Sequence, residues 1–203
     1  MTGMSDDDAH PPVRIALRAD LARGSATLTA AFHEDPWFSW LYPDAERRPA
    51  QAEAWFGLVL ERAFAMGHTF VTEHGLVTWA PIDVAFPTAD DVALAATLLT
   101  EQIGERASTA LGIIGGAGAV FPERPRFHCI YVGVQPEAQG TGRGVALLRR
   151  VLDTCDREGL PASLTSTNDT NLPFYRHLGF TEIGETAIAD TGRSLRPLWR
   201  EPR

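Results

Sequence analysis

Residues 131–148 constrain the fold more than any other stretch: Tyr-Val-Gly-Val-Gln-Pro-Glu-Ala-Gln-Gly-Thr-Gly-Arg-Gly-Val-Ala-Leu-Leu. An apolar strand ends near Val134, and Pro136 lacks the backbone donor needed to extend its ladder. Gly140, Gly142 and Gly144 then lead directly into a helix. The first N–H groups of a helix have no intrahelical partner and lie at the positive end of its dipole. Such a loop makes an anion site suited to phosphate. Glycine permits positive φ and lets a bulky diphosphate approach the backbone. Arg143 adds a guanidinium beside it. Two nucleotide-binding loops are excluded. A dinucleotide loop G-x-G-x-x-G requires Gly at 145, where Val145 stands. A P-loop requires Lys, and all 18 basic residues are Arg. The loop alone leaves open a tight strand-to-helix turn with no ligand.

The surrounding pattern is mixed. Strands are predicted over residues 13–18, 69–73, 76–81, 127–134, 162–167, 180–187 and 194–200. Helices are predicted over 20–32, 46–66, 88–108, 140–158 and 168–178. The glycine-rich stretch 110–121 resists assignment from propensity. This order predicts an α/β (α+β) domain over residues 13–203, with a mixed, partly antiparallel sheet of about six to seven strands. Residues 1–12, with Asp6-Asp7-Asp8, read as a disordered acidic tail that is neither a signal nor a transit peptide. Cys129 and Cys155 match no metal spacing, so no metal is expected, and a reduced, cytoplasmic protein is the simpler reading. No apolar run approaches the roughly 18 residues of a membrane span. The net charge of −8 argues against a nucleic-acid surface and is compatible with a cationic amine.

A second motif gives the glycine loop its context. Val134-x-Pro136-x-x-Gln139-Gly140-x-Gly142-x-Gly144 resembles the acetyl-CoA signature of the GNAT superfamily of N-acetyltransferases, Q/R-x-x-G-x-G/A. Further on, Asn168-Asp169-Thr170-Asn171-Leu172-Pro173-Phe174-Tyr175-Arg176-His177-Leu178-Gly179-Phe180 is similar to that family's second signature, N-x-x-x-x-x-F-Y-x-x-x-G-F. Weaker echoes at Ala31-Phe32, Asp35-Pro36, residues 77–81 and residues 199–202 resemble a branch that includes puromycin-type antibiotic acetyltransferases. The resemblance implies a sheet splayed between its two central strands, flanked by helices, with 110–121 helical. It implies acetyl-CoA as co-substrate and direct transfer of its acetyl group to a primary amine, a small molecule or peptide, in a ternary complex. Dimers are common in that family, which makes a homodimer the corresponding expectation. Use of another acyl-CoA and a catalytically silent acyl-CoA sensor are the alternatives.

The resemblance also assigns roles. The backbone of Val132, Gly133 and Val134 would bind the pantetheine arm as an added strand does, and the Val134 N–H would polarise the thioester carbonyl. Gln139, Gly140, Thr141, Gly142, Arg143 and Gly144 would hold the pyrophosphate. Tyr175 is the candidate general acid for the leaving thiolate. Asn168 and Asn171 can reach the coenzyme, although Asn168 can equally be a helix cap. The general base is His128, on the central strand, or one of Glu34 and Asp35, at the helix break. The aromatic cluster of Trp37, Phe38, Trp40 and Tyr42 either walls the acceptor pocket or fills the core.

Overall fold

The computed structural model describes residues 12–203, so the expected acidic tail lies outside the described residues except for Pro12. In chain order the elements are β1 (Arg14–Ile15), α1 (Leu21–Ala31), α2 (Pro36–Leu41), α3 (Arg48–Phe64), β2 (Thr69–Val71), β3 (Gly75–Ala80), α4 (Ala89–Ile103) and α5 (Arg106–Gly118). There follow β4 (Phe127–Val134), α6 (Arg143–Glu158), β5 (Ala162–Ser166), α7 (Leu172–His177), β6 (Thr181–Glu182), β7 (Thr186–Ala187) and β8 (Ser194–Arg200). The strands form one mixed, mostly antiparallel sheet in the order β1-β2-β3-β4-β5-β8-β6, with β7 also on β8. Eight strands stand where six to seven were expected, because residues 180–187 form two short strands.

Only β4 and β5 are parallel, and their pairing stops at Cys129 opposite Leu164. On its other edge β4 pairs with β3 from His128 to Val134. The register there shifts: Thr78 faces Tyr131 while Trp79 faces Cys129, which leaves Ile130 as the extra residue of a bulge. The bulge changes which way β4 faces. Cys129 packs with the α6 and α7 side of the sheet, whereas Tyr131 packs with the α1 and α3 side. Past the bulge, β4 bends away from β5 and the sheet opens.

Two apolar layers cover the sheet. Leu28, Phe38, Phe56 and Leu60 bury one face, and Leu147, Leu148, Val151 and Leu152 bury the other. Gly133 allows the first layer to close. A Cβ there would lie 2.7 Å from Leu28 Cδ2 and 3.1 Å from the Ala31 methyl, so α1 sits directly on the strand. The predicted helix over 88–108 divides at Gly104, whose φ of 60° and ψ of −133° suit glycine alone. The predicted strand over 13–18 shortens to two residues, because the Asp20 carboxylate accepts the Leu17 N–H and turns the chain into α1.

Candidate active site

The opening between β4 and β5 is a cleft of about 650 Å³, whose walls come from α1, the turn that follows it to Asp35, β4, α6 and α7. Along β4, backbone groups alternate between the two edges. The Gln135 N–H donates to the His74 carbonyl on the β3 side. The N–H groups of Val134 and Val132 therefore point to the opposite edge, into the gap. Gln139 folds back over this edge, its Nε2 donating to the Val134 carbonyl at 3.1 Å.

At the base of the cleft, Gly140 and Gly142 have φ of 74° and 81°, and a Cβ at either would meet nothing within 4 Å. Their freedom serves the turn. Gly142 caps α6 without any side-chain bond to its first N–H groups, so those donors face outward at the dipole's positive end. Arg143 Nε is buried with no partner among the described residues. Gly144 serves a different purpose: a Cβ there would sit 3.4 Å from the Phe174 ring, so it lets α7 approach α6. An unpaired guanidinium N–H, uncapped helix amides and an unpaired strand edge are the donors that a pyrophosphate and an amide-bearing arm require. The residues fit the expected coenzyme.

Most of the sequence-predicted residues come together here. Val132, Gly133, Val134, Gln139, Gly140, Gly142, Arg143, Gly144, Asn168, Asn171, Tyr175, Glu34 and Asp35 all line the cleft. Thr141 does not; its hydroxyl donates to the Ala138 carbonyl at 2.5 Å and accepts from Arg143 Nη1 at 2.7 Å, bracing the loop. Trp37 lies in the core, with its ring 5.2 Å from that of Trp40. Phe38 and Tyr42 are fully buried beside it, so the core reading holds for three of the four clustered aromatics. His128 also stands away from the cleft. Its Nδ1 is 2.8 Å from Ser163 Oγ and its ring meets Phe121 edge-on. Burial, helped by Arg126, pushes its pKa down to about 4.

Asp35 sits at the opposite wall. Oδ1 accepts the N–H groups of Trp37 at 2.9 Å and Phe38 at 3.4 Å, capping α2, and Oδ2 accepts from Thr167 Oγ1 at 2.6 Å. Burial raises its pKa above the usual carboxylate range despite these three bonds. Glu34, one residue earlier, is 86% exposed at its side chain and pairs with His33. Tyr175 is buried on α7, and burial raises its pKa, with Cys129 and Asp35 adding to the shift. The Asn168 side chain accepts from Thr170 N at 3.0 Å and from Thr170 Oγ1 at 2.9 Å, so it caps the turn before α7 while its amide hydrogens stay free to donate. Thr167 had no sequence signal, since its partner Asp35 lies 132 residues away.

A mixed sheet opened between its parallel pair, with a glycine-capped helix beneath the opening, defines the acetyltransferase class of α/β fold. The chain belongs to the acetyltransferase (GNAT) family, whose model matches residues 78–180. It is similar to an uncharacterized N-acetyltransferase of Schizosaccharomyces pombe, 41% identical over 54 residues, which are 27% of this chain and 22% of that protein. It is also similar to the 5-NmdU N-acetyltransferase of Pseudomonas phage PaMx11, 31% identical over 75 residues, 37% of this chain and 53% of that protein. The chain thus spans about half or less of the length of these curated relatives. Arylalkylamine N-acetyltransferase 2 from Aedes aegypti has the same fold, with a TM-score of 0.72 over 95% of this chain and 99% of its own at 10% identity. A Corynebacterium glutamicum protein described as histone acetyltransferase HPA2 and related acetyltransferase gives 0.70 over 96% and 97% at 22% identity.

Proposed function

We propose that this chain transfers an acetyl group from acetyl-CoA to a primary amine by direct attack within a ternary complex. The observation that carries this reading is the convergence, in one cleft, of the unpaired Val132–Val134 edge, the capped glycine loop, Asp35 and Tyr175. When bound, acetyl-CoA supplies the acetyl group and a thiolate leaving group. The N–H groups of Val132 and Val134 hold the pantetheine arm as a neighbouring strand would, and Val134 N–H donates to the thioester oxygen where charge develops. The α6 amides and Arg143 hold the pyrophosphate, and Asn168 and Asn171 reach the arm from the other wall.

Asp35 is the base. It is the buried one of the two candidate acids, it lines the cleft, and its raised pKa brings its basicity closer to that of the amine proton it accepts. Glu34 is solvated and His128 faces Ser163 instead. Tyr175, whose hydroxyl stays protonated and has no hydrogen-bond partner among the described residues, gives its proton to the leaving thiolate. No side chain is acylated, because burial holds the Cys129 and Cys155 thiols protonated. The puromycin-type resemblance of the terminal echoes rests on the sequence alone.

Thiol release from acetyl-CoA, from longer acyl-CoAs and with an amine panel tests the reading. Amine-dependent release is expected, fastest with the acetyl donor. Coenzyme-dependent thermal stabilisation without release on any amine would point to a sensor instead.

A further inference from the structure

A second, open hollow of about 630 Å³ lies against α2. The two cavities share Glu34, one residue before Asp35, the cap of α2. Asp35, at the helix start, faces the coenzyme cleft, whereas Pro36, Ser39 and Trp40 face the second cavity. Its opposite wall carries Arg106, the first residue of α5, and Arg193, in the loop before β8.

Its charges are unbalanced. Neither Arg106 nor Arg193 has a carboxylate partner among the described residues, although nine other arginines do. Arg106 gives one N–H to the Trp40 carbonyl and lies 5.0 Å from the centre of the Trp40 ring, which leaves its other donors for the cavity. A cation at a helix start opposes the dipole preference, and α5 has no side-chain cap. Two arginines and the Ser39 hydroxyl line this open hollow beside the Trp40 indole. A hollow of this size can receive the charged end of a small organic molecule. Glu34 is the acidic side chain in the same lining, and the one shared with the coenzyme cleft.

We propose that the acceptor is an amine that also carries a carboxylate, its amine directed past Glu34 toward Asp35 and its carboxylate held by Arg106 and Arg193. This rests on the amine-acetyltransferase reading. It also runs against what the chain's overall acidity suggests, because two arginines and one glutamate line this hollow.

The test pairs aromatic and ω-amino carboxylates with their uncharged amides. Thiol release from acetyl-CoA should favour a carboxylate over its amide by about tenfold or more in kcat/KM, the scale of one charge-assisted hydrogen bond. Arg193→Gln, at an exposed position, should bring that ratio toward one while leaving the KM for acetyl-CoA unchanged. Arg106→Gln should do the same, and its Tm reports any loss of the Trp40 contact. Amides that turn over as well as their carboxylates, or a preference that survives in both variants, would overturn this inference and leave the amine reading standing. No release with any amine would overturn both.

Discussion

Replacing Asp35 by Asn separates the chemical role of this carboxyl from its structural one. Asn caps a helix about as well as Asp, so the N–H groups of Trp37 and Phe38 keep an acceptor. The Thr167 hydroxyl loses a charged acceptor, which costs about 1 kcal/mol, the difference between charged and neutral hydrogen bonds. Removing a buried charge offsets part of that cost. The catalytic loss is larger. A positioned base contributes about 10²–10⁴-fold, or about 3–5 kcal/mol of barrier, so kcat should fall by that factor while the KM for acetyl-CoA stays near wild type.

The raised pKa adds a signed prediction. The folded carboxyl holds its proton more tightly than the unfolded one, so wild-type stability falls as pH rises from about 3.9 through the raised folded value. The variant lacks this titration. Its stability relative to wild type should therefore improve with pH across that window and stay level above it. Urea unfolding across pH and a pH–rate profile read the two effects. A variant that keeps kcat and the acidic limb of the profile would remove Asp35 as base, and a pH-independent stability difference would refute the burial argument.

Tyr175→Phe removes only a hydroxyl with no hydrogen-bond partner among the described residues, so the fold should tolerate it. Its kcat should drop about tenfold or more with little change in KM for acetyl-CoA; unchanged turnover would exclude the phenol from proton transfer. Gly133→Ala drives a methyl to 2.7 Å from Leu28 Cδ2 in a sealed layer. Overpacking of that kind costs about 1–3 kcal/mol, and thermal melts should show a Tm several degrees lower. An unaltered Tm would mean that α1 does not bear on the strand.

What the sequence revealed of the fold was local or carried by resemblance. The glycines at 140 and 142 announce their turn because positive φ leaves few other residues. The helical state of 110–121 was invisible to propensity. In the structure α5 is helical over Arg106–Gly118, because Ala107, Ala110 and Ala117 bury a small-residue face, and a Cβ at Gly116 would lie 3.4 Å from the Thr186 methyl. The break between β6 and β7 has a cause on another strand. Ile183 N–H donates to the Pro197 carbonyl, and Pro197 has no N–H to return. In the site, residues tied to the two signatures were legible. The choice among His128, Glu34 and Asp35 was not, since it depends on which face each side chain takes and how deeply it is buried. The bulge at Ile130, which turns Tyr131 toward α1, left no mark in the apolar run of β4.

The helix α2 has no spare face. Its cap meets the coenzyme cleft, Pro36, Ser39 and Trp40 meet the second cavity, and Trp37, Phe38 and Leu41 fill the core. Each residue advances a helix by about 100°. Inserting or deleting one residue between Asp35 and Trp40 would rotate the downstream side chains by that angle and send an indole from one compartment into another. The segment can therefore change its letters far more readily than it can change its length.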